Sequence, residues 1–463
     1  MHKIGAVEAK WTFLAISLIY FFMVAAFLLF GEHCYEFARA SYCDYPCEHG
    51  CELALGMLKH GEFVSIHYPD RIWTGWPPGY AFFVLPFLWA SDGVSLLGAV
   101  IFQAGLVFAV SLMLRRAVDN LLPGFGLLMM ALYLFNPNVF GLLLLAKTDT
   151  IFSLCLAVAF IWLLDYLKDN QGGRVVLVGG LIGVAILIRP SAQFLILLLP
   201  LLTVLLAWVR PQSGGSFRAL GHGLGGSALS VCVVIPWMIF VNQQGEGYRL
   251  ASQSTEYTFL SDNIGTLDAH LAGRSMNDRL SVEYTAKIEA ELSASIANWN
   301  ELGDADKYRE RVRLARRDLF SYPPGDYVYP ALRSVARFFV TGGEGYLLEM
   351  FGFPATGFGA GEKQFEGGAA LTITATEVVA KGYAVVVRLL GLLGIVWLVR
   401  QRQFGVLVLC LAPTMYFLFL HLLEGWSRFR LPVEAPLALL GVFGVVYLLD
   451  MRNRSKPTTE PTA

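Results

Sequence analysis

Carboxylates, arginines and aromatic residues recur in this chain at the edges of long apolar runs. Asp44 and Glu48 stand four residues apart in the first of these edges. The segment Asp70-Arg71-Ile72-Trp73-Thr74-Gly75-Trp76-Pro77-Pro78-Gly79-Tyr80 follows, then Lys147-Thr148-Asp149, then Arg189-Pro190. The last edge is Glu424-Gly425-Trp426-Ser427-Arg428-Phe429-Arg430-Leu431-Pro432. Such groups suit group transfer from a lipid-linked phosphate. One carboxylate, Asp44 or Glu48, takes a proton from an attacking hydroxyl. A second, Asp149, positions the acceptor or holds a divalent metal ion. Arg189, Arg428 and Arg430 offer phosphate a fixed fork of donors and stabilise the charge on a departing polyprenyl phosphate. Arg71, Trp76, Pro77, Pro78, Tyr80 and Glu424 would face the substrate at the membrane interface.

Each residue also has a plainer reading. An arginine snorkels at a helix end. Asp149 caps a helix or complements its dipole. Pro77-Pro78-Gly79 makes a turn, and Trp73 and Trp76 belong to an interfacial aromatic belt. What favours chemistry is that these residues share one side, near five separate helix ends.

The elements that must position them are membrane helices. Of 463 residues, 56% are hydrophobic and only 15% charged, against about 45–50% and about 25% in soluble domains. The surplus arrives in runs of about twenty, the length that spans a bilayer. A soluble enzyme, a secreted disulfide scaffold and a disordered chain are excluded. A net charge of −1 gives no support to a nucleic-acid partner. Ten spans are expected: Trp11–Phe30, Val94–Leu114, Leu121–Leu142, Thr150–Leu167, Val175–Ile188, Ser191–Val209, Leu220–Val241, Gly382–Val399, Phe404–Leu422 and Leu431–Leu449. Arg115, Arg116, Lys168, Arg174, Arg210, Arg218, Arg400 and Arg402 fill alternate loops, and Lys3, Lys10, Arg452, Arg454 and Lys456 flank the ends. By the positive-inside rule both termini are cytoplasmic, in the inner or plasma membrane, and the acid and arginine edges are extracytoplasmic.

The expected organisation is a first module over 1–241 with an outer loop at 31–93, an extracytoplasmic domain over 242–381, three further spans over 382–450, and a cytoplasmic tail over 451–463. Gly79–Trp89 is too short to span and reads as interfacial or re-entrant. Met276–Tyr322 reads as helical up to Tyr322-Pro323-Pro324-Gly325, Tyr327–Val340 as an amphipathic surface helix, and Phe353–Gly368 as a loop. Cys34, Cys43, Cys47 and Cys51 cluster in the first outer loop. An even set on the oxidising side implies two disulfides. A zinc site with His33 and His49, or free thiols, are the alternatives, although Cys-x3-Cys-x3-Cys matches no strong zinc spacing.

These motifs, in this order, resemble the bacterial branch of the GT-C-type, polyprenyl-phosphate-dependent membrane glycosyltransferases, which include relatives of the protein O-mannosyltransferases and the aminoarabinose–lipid A transferases. Glu52-Leu53-Ala54-Leu55-Gly56-Met57-Leu58-Lys59-His60-Gly61 and Pro77-Pro78-Gly79-Tyr80 match the first-loop pattern. Asn136-Pro137 with Thr148-Asp149-Thr150-Ile151-Phe152 resembles the second acidic motif. Gly179-Gly180-Leu181-Ile182-Gly183-Val184-Ala185 before Arg189-Pro190, Pro236-Trp237, and Arg428-Phe429-Arg430-Leu431-Pro432 with Pro436 resemble three later ones. The resemblance implies an all-α polytopic GT-C-like fold and an inverting transfer of a sugar from a polyprenyl-phosphate donor to an acceptor hydroxyl on a lipid, polysaccharide or protein. The family's catalytic acid falls at Pro46 or Cys47 here, so Asp44 is favoured and Glu48 is its rival. Two readings compete with the enzyme: a transporter or flippase of a lipid-linked sugar, and a non-catalytic relative of the same fold.

Overall fold

The structure, a computed structural model, describes residues 6–31, 49–65, 68–209, 215–245, 247–250, 253–274, 280–351, 353 and 368–454. Asp44, Glu48, Cys34, Cys43 and Cys47 lie outside them, and of Arg71 only the backbone is described.

The first half comprises α1 (Ala6–Phe30), α2 (His49–His60), a two-stranded antiparallel ribbon β1 (Val64–Ser65) and β2 (Tyr68–Ile72), and α3 (Gly79–Ala90). It continues through α4 (Leu97–Leu121), α5 (Gly126–Leu134), α6 (Pro137–Leu143), α7 (Thr148–Asp169), α8 (Gly172–Ile188), α9 (Leu195–Val209) and α10 (Ser216–Gln243). Next come α11 (Gln253–Leu271), α12 (Leu280–Ser295), α13 (Asp304–Leu319), α14 (Pro324–Val340) and α15 (Glu344–Met350). Last are α16 (Gly368–Arg400), α17 (Phe404–Leu420), α18 (Ser427–Arg430) and α19 (Glu434–Arg454).

Every one of the ten expected spans falls on these helices, and the chain is an all-α polytopic membrane protein. Among the described residues, seven helical segments are long and apolar enough to cross a membrane, and α5 with α6, bent by 54°, forms an eighth if the pair is one span. The other two expected spans fall on α8 and α17, shorter apolar helices like α3, the twelve-residue helix expected to be interfacial or re-entrant. The expected span Leu121–Leu142 thus falls on two helices with a bend between them. Pro137 excludes helical geometry at Asn136, whose backbone is extended and whose side-chain oxygen accepts the Asn138 N–H at 2.9 Å. The expected single helix over Met276–Tyr322 is likewise two, α12 and α13, separated by a short 3-10 turn at Trp299–Glu301.

Small residues set the helix crossings. A Cβ at Gly179 of α8 would overlap the Gly226 carbonyl of α10, and the Ser230 hydroxyl donates to the Gly179 carbonyl. Gly394 of α16 sits against the Leu440 carbonyl of α19, and Gly444 against that of Leu390. Lipid offers no hydrophobic drive between helices, so such close backbone approach supplies the packing. Burial is uneven. α7 and α19 are largely enclosed, whereas α1 presents Leu18, Phe22 and Phe30 outward. The enclosed pair carries the buried carboxylates Asp149 and Glu434.

Outside the membrane bundle, α11, α12 and α13 form a separate core around Ile264, Tyr284, Ile288, Leu292 and Ala315. Burial and the neighbouring Asp268, whose carboxylate accepts from the phenol at 2.6 Å, raise the Tyr322 pKa above the ordinary phenol range. The α14 helix is strongly amphipathic: Ser334 and Phe338 are buried, while Val328, Tyr329 and Leu332 are exposed on the opposite side, as a helix lying on a membrane surface requires.

Candidate active site

Asp149 is the centre of the first cluster. It occupies the first turn of α7, where an anion complements the helix dipole, and is 1% exposed. The Thr150 hydroxyl donates to the Leu142 carbonyl at 2.9 Å, tying the start of α7 to α6. The Arg189 Nη1 donates to Asp149 Oδ1, and the Arg428 Nη2 donates to Oδ2 at 3.2 Å. Both oxygens of one carboxylate are therefore engaged by two guanidinium groups from elements 40 and 279 residues away.

Local sequence explains both arginines. Pro190 keeps Arg189 out of helical geometry, so α8 ends at Ile188 and Arg189 is extended, with φ −143° and ψ 121°. Its cation then lies at the negative end of the α8 dipole. Arg428 rides on α18, whose entry is set by Gly425 at φ +60°, pressed against the Ser334 carbonyl. A side chain there would be strained and would clash. The Asn138 amide donates to the Ser427 carbonyl at 2.8 Å and fixes the same turn to α6. Phe429 lies 5.8 Å from the Arg189 guanidinium and 5.7 Å from that of Arg428. The His421 ring stacks on Phe429 at 3.7 Å, and its Nδ1 is 3.7 Å from Glu424 Oε2.

The Pro77-Pro78 segment reaches the same place. A Cβ at Gly79 would lie 2.7 Å from the Leu187 carbonyl, two residues before Arg189. Glycine is thus what lets the α3 N-terminus abut the end of α8. Pro77 and Pro78 are buried, Trp76 is half-buried, and Tyr80 is 1% exposed and packed beneath Gly50 of α2. The fold therefore brings Asp149, Arg189, Arg428, Glu424 and the Pro77-Pro78 turn to one face. Cys51 of α2 is disulfide-bonded, whereas Cys155, Cys232 and Cys410 are free.

Arg430 is not in that group, which corrects its expected role in binding phosphate. It is 1% exposed, and its donors go to Glu434 Oε1 at 2.6 Å, the Phe338 carbonyl and the Thr341 carbonyl at 2.6 Å. Glu434, 0% exposed, also accepts from Arg388 Nη2 at 2.6 Å, Asn136 Nδ2 at 2.9 Å and Asn138 Nδ2 at 3.3 Å. This second cluster joins the α5–α6 bend, α14, α16, α18 and α19. Sequence reasoning missed Arg388 and Glu434. The signal was present, since each is a lone charge near or within an apolar run, and such charges mark functional or structural sites.

Asp149 was expected to position the acceptor or hold a divalent metal ion; in the structure both its oxygens are held by arginines, which it orients. Among the described residues, no three His, Cys, Asp or Glu side chains converge as metal ligands. Asp44 and Glu48, the other carboxylates expected near Asp149, lie outside the described residues.

No curated protein matches the chain. Two solved structures of ArnT from Cupriavidus metallidurans are similar over 95% of this chain and 78% of that one: the apo state at 16% identity and the undecaprenyl-phosphate complex at 14%, each with a TM-score of 0.40. The segment from residue 73 to 270, which contains Trp76-Pro77-Pro78, Asp149 and Arg189, matches the model of glycosyltransferase family 87.

Proposed function

We propose that the chain is an integral-membrane glycosyltransferase that moves a sugar, a hexose or pentose, from a polyprenyl-phosphate donor to an acceptor hydroxyl with inversion. The observation that carries this reading is the Arg189–Asp149–Arg428 arrangement at one end of the helix bundle, within or beside a segment that matches a glycosyltransferase family. Two guanidinium groups sharing one carboxylate leave a net positive site, which suits a lipid phosphate at the bilayer edge. In the transfer, the acceptor oxygen forms a bond to the anomeric carbon as the carbon–oxygen bond to phosphate breaks. The acceptor proton goes to the carboxylate of Asp44 or Glu48. Polyprenyl phosphate leaves with the bonding pair, and Arg189 and Arg428 neutralise its charge. The positive-inside rule, applied to the basic loops, supports an extracytoplasmic position for this face with both termini cytoplasmic. The acceptor belongs to the envelope: a lipid, a polysaccharide or a protein.

The test supplies the purified full chain in detergent with labelled polyprenyl-phosphate sugars and a membrane extract. Turnover by the wild type, lost in Asp44→Asn or Glu48→Gln and reduced at least about 100-fold in Asp149→Asn, supports the reading. Movement of labelled lipid across sealed vesicles without transfer would replace it with a flippase. Equal turnover in all three variants would remove the assigned carboxylates from the chemistry.

A further inference from the structure

We propose that the groove between the C-terminal ends of α16 and α19, at the face opposite the Asp149 cluster, binds the phosphate of an anionic phospholipid. The groove is a cavity of about 550 Å³ lined by Trp397, Arg400, Gln401, Tyr447, Asp450 and Arg454, among others. Along α19, Asp450 lies 16 residues beyond Glu434, about 24 Å at 1.5 Å per residue. The site is therefore separate from both buried clusters, and it does not depend on the transfer reading.

Two features point to a lipid headgroup. The first is a prearranged cation. The Arg400 Nη1 donates to the Tyr447 hydroxyl at 2.7 Å, and the guanidinium lies 5.3 Å over that ring. Tyr447 holds the fork in place, so less side-chain freedom is lost when a phosphate engages its remaining donors. Arg454 pairs with Asp450 at 2.9 Å, with side chains 73% and 38% exposed. An ion pair that open to solvent contributes little, so Arg454 exchanges Asp450 for a phosphate oxygen at small cost. The two arginines and Asp450 leave the groove one positive charge in excess.

The second feature is the apolar surface leading to the groove. Val396 and Val399 on α16 and Leu448 on α19 are each 40–46% exposed and continue into the outward faces of these helices, where Leu389 and Leu392 lie open. This surface takes acyl chains. Trp397, stacked on Phe443 at 5.2 Å, and Tyr447 line the groove together with the arginines, in keeping with the enrichment of Trp and Tyr at the headgroup level. A soluble phosphate would use the charges and leave the apolar approach without purpose.

The experiment is native mass spectrometry of the purified full chain in detergent, titrated with phosphatidylglycerol, phosphatidylcholine of the same chain length, and inorganic phosphate. Phosphatidylglycerol is expected to bind about ten-fold tighter than phosphatidylcholine. Arg400→Ala with Arg454→Ala is expected to abolish that preference, the loss of one charged hydrogen-bonded contact being about ten-fold in affinity. Arg402→Ala, in the same loop but outside the lining, is expected to keep it. Where the double variant does not remain folded in lipid-free detergent, Arg400→Lys replaces it, with a partial loss expected because the charge stays and the fork goes. Equal binding of the two lipids, an unchanged preference in these variants, or displacement of phosphatidylglycerol by millimolar inorganic phosphate would overturn the proposal.

Discussion

Replacing Glu434 with glutamine tests the buried charge balance of the second cluster. Glu434 is fully enclosed and accepts from Arg388, Arg430, Asn136 and Asn138 at 2.6–3.3 Å. Glutamine keeps the shape and one acceptor oxygen but removes the negative charge that pairs with two enclosed arginines, 12% and 1% exposed. Removing one partner of a buried ion pair costs about 3–5 kcal/mol, because the remaining charge stays buried. At about 2–4 °C per kcal/mol for domains of 150–250 residues, and less for longer chains, the midpoint of thermal unfolding should fall by about 5–10 °C. Arg388→Met gives the opposite expectation. The cluster holds two arginines and one glutamate, and the Arg388 Nε and Nη1 are buried with no hydrogen-bond partner. Methionine loses one charged hydrogen bond, about 1.5–3 kcal/mol, but removes two unsatisfied donors, each a penalty of about 1–3 kcal/mol. Its net cost should therefore not exceed about 1 kcal/mol. The assay is the fraction of protein remaining monodisperse by size-exclusion chromatography after heating in detergent. The charge-balance argument fails if Arg388→Met lowers the midpoint as much as Glu434→Gln does.

Three further outcomes are expected. Gly179→Ala, whose methyl group meets the Gly226 carbonyl, should destabilise the fold by about 1–3 kcal/mol, whereas Gly173→Ala, with open space around it, should be neutral or slightly stabilising. The same heating assay compares them, and a neutral Gly179→Ala would contradict the close α8–α10 crossing. Arg189→Lys keeps the charge that faces Asp149 but loses the fork. In a transfer assay it should raise the donor KM about ten-fold with a smaller change in kcat, and a fall confined to kcat would contradict donor binding. Cys51→Ser should release its disulfide partner, so alkylation under denaturing, non-reducing conditions should add one more label per chain by mass than in the wild type. An unchanged count would contradict the bond.

Much of the fold was legible because a bilayer imposes one-dimensional rules. A span needs about twenty apolar residues whatever it packs against, and every expected span fell on a helix. Proline and glycine left local marks of similar clarity, such as Arg189 released from α8 by Pro190 and the end of α14 at Thr341. The bend at Asn136-Pro137 was present in the letters too, but the long apolar run hid it.

The sequence by itself determined the membrane class, where the apolar helices fall and the common side of Asp149, Arg189, Glu424 and Arg428. Only the tertiary structure decided which of the arginines serve that face. Arg428 and Arg430 are two residues apart and equal in composition. A short helical turn points the first to Asp149 and the second inward to Glu434, Phe338 and Thr341. The physical reason is that a charge acts through its partners. Those partners lie up to 298 residues away in the chain, as Asn136 does from Glu434, and no local pattern records such pairings.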